Sequence, residues 1–185
     1  MFGLWSSALS LMWAPGAGWR RLRSQRLEWS ALLVYCVVLA LLPLFSRGVG
    51  HILGGRSVES SLAESMLFCF FQVGTASGSG VVLAATARRL GLELSDGVAQ
   101  RMVLLSATPI WLLSVLYIIP APSQLWPYVL LGSLSWAALI LYRGIHEYCA
   151  LSLRSLTVAA LSASAAWLLS SAILSQILYL LLLPR

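Results

Sequence analysis

Five long apolar stretches, Ser30–Phe45, Leu62–Ala87, Val98–Ile119, Leu125–Tyr142 and Leu156–Leu183, alternate with short polar segments along the chain. A helix needs about 17–25 predominantly apolar residues to cross a hydrocarbon core about 30 Å thick. The pattern therefore predicts an all-α, polytopic membrane protein: a bundle of five transmembrane helices forming one domain over residues 1–185. Ahead of the first span, residues 1–28 form an arm. Within it Phe2, Trp5, Leu9, Met12 and Trp13 recur at near-helical spacing with Ser6, Ser7 and Ser10 between them, the pattern of a short interfacial helix. Pro15, Gly16 and Gly18 are expected to break that helix before the basic cluster Arg20, Arg21, Arg23 and Arg26. The charges follow the apolar segment rather than precede it, the reverse of a secretory signal, so cleavage is not expected.

Composition narrows the class. The chain is 59% hydrophobic and 10% charged, with a mean hydropathy of +0.87, values foreign to a soluble domain of this length. The net charge of +6 comes entirely from arginine, since the chain has no lysine. These arginines cluster at span ends, where they anchor helices and meet anionic headgroups. No platform of interleaved aromatic and basic residues accompanies them, so the expected partner is the lipid bilayer and not nucleic acid. Cys36, Cys69 and Cys149 are odd in number and two fall inside spans, so no disulfide framework is implied.

The arginines also define an orientation. The arm with its four, the loop holding Arg88, Arg89 and Arg101, and the loop holding Arg143 and Arg154 fall on one side. Arg47, Arg56 and Arg185 fall on the other. The positive-inside rule then predicts a cytoplasmic N-terminus and, after five crossings, a C-terminus outside.

The second span is unusual. It carries Gly74, Thr75, Ser77, Gly78 and Gly80, with Gly74 and Gly78 in a GxxxG relation and Ala76 and Gly80 in a second small-xxx-small pair. Small residues let another helix approach closely, and hydroxyls can hydrogen-bond across the contact. The neighbour is either another span of the same chain or a second copy; alternatively the glycines unwind the helix into a substrate site, as in transporters. Pro109 is expected to kink the third span, with Ser106 or Thr108 satisfying the carbonyl that proline frees. Pro120, Pro122 and Pro127 are expected to form a rigid turn, and Gly144 to end the fourth helix.

Catalytic chemistry is not legible. Glu28, Arg101 and Arg143 fall at span ends and Glu64 within about one turn of one, so no ionisable group marks a bilayer centre. His146, Glu147 and Cys149 offer at most two metal ligands, and His51 is expected on the opposite side, so no metal site or cofactor is predicted. No serine elbow, Ser-His-Asp set or phosphate loop occurs. These observations predict a protein that is not an enzyme.

Two elements carry a family resemblance. The run Leu105-Ser-Ala-Thr-Pro109 through Pro120 is similar to the small-x-Pro helix, ending in proline, of the Yip (Ypt-interacting protein) family. The segment Leu131-Gly-Ser-Leu through Leu141-Tyr142-Arg-Gly144-Ile resembles that family's next helix, with its Tyr-x-Gly element. Leu11-Met-Trp-Ala-Pro15 followed by Trp19-Arg-Arg-Leu22 is similar to the bacterial branch. The resemblance implies a multi-pass protein of the bacterial inner membrane. The chain lacks the Asp-Leu-Tyr-Gly-Pro element of the eukaryotic branch and its arm is short, so that branch's small-GTPase binding is not carried over. The leading expectation is a non-enzymatic scaffold or assembly partner for another membrane protein, or for a second copy. The alternative is a small transporter, channel or lipid-handling protein with a cavity beside the second span.

Overall fold

The computed structural model describes residues 2–25, 28–119, 126–149 and 153–182. Its elements are α1 (Phe2–Trp13), α2 (Pro15–Ser24), α3 (Trp29–Leu53), α4 (Val58–Arg89), α5 (Asp96–Ser106), α6 (Thr108–Leu113), a 3-10 turn (Ser114–Ile118), α7 (Trp126–Tyr148) and α8 (Leu153–Leu182). No strand occurs among the described residues. Among the described residues five segments are long and apolar enough to cross a membrane: Trp29–Leu53, Val58–Arg89, Asp96–Ile118, Tyr128–Tyr148 and Ser155–Ile173. The protein is an all-α, five-span membrane protein. Pro120, Pro122, Arg26 and Arg185 lie outside the described residues.

Helix ends follow local chemistry. The first span does not stop at Phe45 but runs to Leu53. Arg47 and His51 read as loop residues in the sequence, yet as helical residues Arg47 pairs with Glu64 on α4 and His51 Nε2 comes within 3.3 Å of the same carboxylate. Gly54 and Gly55, the latter at φ +87°, then turn the chain. Ser57 caps α4 by accepting from the Ser60 N–H, and Glu59 places negative charge in the first turn. The end of α4 is a Schellman motif: Gly91, at φ +69°, donates its N–H to the Arg88 carbonyl, and Leu92 donates to the Ala87 carbonyl. Ser95 caps α5, and Asp96 in its first turn pairs with Arg88, tying the two ends of this connection together.

Two expectations about the helices are corrected and one is extended. Gly144 does not end the fourth span's helix, because α7 continues to Tyr148; its reason for being glycine is a packing one, described below. The N-terminal helix does break at Pro15, α1 ending at Trp13, and the proline then starts α2, which takes in Gly16 and Gly18 and where the missing proline N–H costs nothing. The third span is interrupted more deeply than a kink, changing from α5 to α6 to a 3-10 turn.

Helix α4 is central, packing on α3, α5 and α8, whereas α7 packs on α2, α5, α6 and α8. Apolar burial gives little driving force between helices in lipid, so close approach through small residues matters most. On α8, Ala159, Ala160 and Ala163 are buried, and the Ser162 hydroxyl donates to Thr86 of α4 at 3.2 Å. The arm is folded back on itself: α2 crosses α1 so tightly that a Cβ on Gly18 would lie 2.7 Å from the Leu11 side chain. Leu4, Ala8 and Leu11 of α1 are buried, and the Trp5 ring stands edge-on to Tyr35 of α3, with centroids 4.8 Å apart. The N-terminal helix thus forms where the pattern placed it and docks one face on the bundle.

Candidate functional site

The five small or hydroxylated residues singled out on the second span do not act together. Thr75 and Gly80 are buried and Ser77 half-buried. A Cβ on Gly80 would lie 3.0 Å from the Gln100 Cα, so this glycine seats α5 against α4. Gly74 and Gly78 are exposed, and an added Cβ at either would meet nothing within 4 Å. The expectation of one packing face is therefore corrected. The face turned inward runs through Gln72, Thr75, Ala76, Ser79, Gly80 and Leu83. The Gly74 and Gly78 face points away from the chain, flanked by Leu67, Phe70 and Val81, all exposed. Helix α4 is also continuous, so its glycines do not unwind it.

The break belongs to the third span. Pro109 cannot donate to the Leu105 carbonyl, and the Thr108 hydroxyl donates to that carbonyl instead, at 2.6 Å. Because the Thr108 proton is committed there, the Tyr35 hydroxyl donates to the Thr108 oxygen, 2.7 Å away. Of the two residues expected to serve the freed carbonyl, Thr108 does so and Ser106 does not. Pro109 sits on α6, which packs on α3 and α7, while α4 meets the straight α5 half of the span. The proline and the glycine face of α4 are therefore not neighbours.

At the arginine-rich end, α2 is latched onto α7. The Trp19 indole N–H donates to the Ile140 carbonyl at 2.8 Å, and a Cβ on Gly144 would lie 2.7 Å from the indole Cε2. Arg20 pairs with Glu147 at 2.7 Å. Arg23 donates to the Glu147 carbonyl oxygen at 2.7 Å and lies over the Tyr148 ring. Two arginines expected as membrane anchors thus hold the arm to α7, and Arg88 is held by Asp96. Arg21 and Arg89 are exposed. Arg101 lies over the Trp29 ring, 5.1 Å from its centroid. Tyr142, next to the latch, is half-buried against the core. Glu147 is taken up by the arginines, and burial pushes the neighbouring Cys149 thiol up. Among the described residues no group of three or more His, Cys, Asp or Glu side chains is placed to hold a metal ion.

The opposite end holds a charge cluster that sequence reasoning left unassembled. Glu64 accepts from Arg47 of α3 through Oε1 and from Arg56 of the α3–α4 turn through Oε2, and His51 Nε2 lies 3.3 Å from Oε1. The Glu64 side chain is only 11% exposed. The Arg47 guanidinium also covers the Phe68 ring at 4.5 Å, and Phe68 stands edge-on to Tyr117 of the 3-10 turn. One turn further along α3, Gly50 leaves no room for a Cβ against the Tyr117 carbonyl. Ser46 Oγ donates to the Ser114 carbonyl at 2.7 Å. The readable signal was an acid near the start of an apolar span with two arginines in the segment just before it.

No family model matches the chain, and neither a curated protein nor a solved structure matches it.

Proposed function

We propose that this protein is a Yip-like, non-enzymatic scaffold or assembly partner of a bacterial cytoplasmic membrane, and that it binds another membrane protein through the outward face of α4. The observation that carries this reading is the open surface at Gly74 and Gly78. On a lipid-facing helix, two glycines one turn apart form a shallow groove into which a second helix can press its backbone, gaining van der Waals contact that lipid tails supply less well. Phe70 and Val81 wall the groove. Arginine placement supports a cytoplasmic N-terminus and an outside C-terminus.

The test is native mass spectrometry of the tagged protein extracted with its lipids. The expected particle contains a second polypeptide in fixed ratio, which disappears from the Gly74→Leu/Gly78→Leu double variant while the thermal stability of the chain is retained. A lone monomer or homo-oligomer carrying defined lipid would overturn the scaffold reading. The lipid-handling alternative is favoured by one observation, a cavity between α5, α7 and α8 to which no α4 residue contributes.

A further inference from the structure

A cavity of about 150 Å³ lies where the third, fourth and fifth spans meet. Its floor is Val103 and Ser106 of α5, and its walls include Ala138 of α7 and Ala163 and Trp167 of α8. Val103, Ser106, Ala163 and Trp167 are all at least nine-tenths buried. Leu131 and Leu168 also line it and are exposed, so the cavity opens sideways between α7 and α8 toward lipid. Ser106 lies close to the middle of the Asp96–Ile118 span, which places the floor near the bilayer centre.

Ser106 is the telling residue. Several helical serines in this protein return their hydroxyl to their own backbone: Ser65 to the Ser61 carbonyl, Ser79 to that of Thr75, Ser162 to that of Ala159 and Ser170 to that of Ala166. Ser135, exposed, and Ser164, half-buried, also line the cavity. Ser106, only 2% exposed, lines the cavity and its hydroxyl has no hydrogen-bond partner; the oxygen is covered in the rotamer seen, and a turn about Cα–Cβ brings it to the cavity. The hydrocarbon core supplies no water to satisfy it, and cavities lined mainly by apolar side chains stay dry. An ordinary acyl tail would fill the space and leave the hydroxyl orphaned.

We propose that this cavity binds a membrane-dissolved hydrophobic molecule carrying one hydrogen-bonding oxygen, a long-chain or isoprenoid alcohol or ketone, whose oxygen meets the Ser106 hydroxyl. A volume of about 150 Å³ is the size that holds a benzene ring. The oxygen-bearing head fits inside, and the chain leaves between Leu131 and Leu168 into the bilayer. The site is separate from the α4 groove and stands whether or not that groove has a partner.

The experiment uses the full chain in phosphatidylcholine nanodiscs with two photoreactive diazirine probes: a long-chain alcohol and the matching hydrocarbon. Labelled positions are mapped by mass spectrometry. The expected result is labelling concentrated at Val103, Ala163 and Trp167, about three- to tenfold stronger for the alcohol, the ratio one net hydrogen bond supports. Ser106→Ala should abolish the preference for the alcohol while keeping hydrocarbon labelling there. Ala163→Leu, which fills the cavity, should remove labelling of these positions by both probes; should that variant fail to fold, Ser106→Ala decides alone. Labelling spread evenly over the lipid-facing surface, equal labelling by both probes, or an alcohol preference that survives Ser106→Ala would overturn the proposal.

Discussion

The Trp19 indole lies directly on Gly144, close enough that any side chain at 144 would collide with the ring. A helix that began as an arm outside the spans is thereby fixed to α7, with the Trp19 N–H on the Ile140 carbonyl and Arg20 on Glu147. Gly144→Val should cost about 1–3 kcal/mol by overpacking this contact. Hydrogen exchange of residues 15–24 should rise while exchange in α4 stays unchanged. Protection of residues 15–24 equal to wild type would show that the latch does not hold the arm.

The charge cluster should respond asymmetrically. Removing Glu64 as Glu64→Gln leaves Arg47 and Arg56 facing each other near a largely buried position, and should lower stability by about 1–3 kcal/mol. The double variant Arg47→Met/Glu64→Gln should recover part of that loss, because the unpaired charge leaves together with its partner. A thermal-melt double-mutant cycle measures this, and strictly additive losses would show that the two residues are not coupled.

The Pro109 break predicts a rescue. Thr108→Val removes the hydroxyl that serves the Leu105 carbonyl and strands the Tyr35 hydroxyl, at a cost of about 0.6–2 kcal/mol. Adding Pro109→Ala restores a backbone N–H that can reach the Leu105 carbonyl. The combined variant should therefore melt above Thr108→Val alone.

The glycines of α4 should separate into two classes. Gly80→Leu drives a side chain into the Gln100 backbone and should destabilise the bundle by about 1–3 kcal/mol, whereas Gly74→Leu should leave the melting temperature within about 1 °C of wild type. Equal losses at both positions would mean that the two faces are not distinct.

Orientation can be checked directly. Single cysteines placed at Ser24 and at Glu59, in a background lacking Cys36, Cys69 and Cys149, should react with a membrane-impermeant maleimide in intact cells only at position 59. Labelling of position 24 alone would reverse the proposed orientation.

Hydrophobic periodicity determined the class, the number of spans and the approximate place of each, because a bilayer demands about 20 apolar residues per crossing whatever their neighbours. Local rules also carried the Thr108 rescue of the carbonyl freed by Pro109, since both partners lie within one helical turn. The sequence did not decide which side of α4 faces inward. Both stripes are rich in small residues, and only the packing of α3, α5 and α8 around α4 leaves Thr75 and Gly80 buried and Gly74 and Gly78 open. Nor did it decide where α3 ends, because Arg47 and His51 continue the helix only when Glu64, on another helix, is there to receive them. Gly144 reads locally as a helix end and is a contact point for Trp19, a residue 125 positions away. The cavity under Ser106 likewise exists only once three spans are brought together. Spans are set by the solvent the chain must cross; sites are set by side chains far apart in sequence, whose meeting depends on how the helices pack.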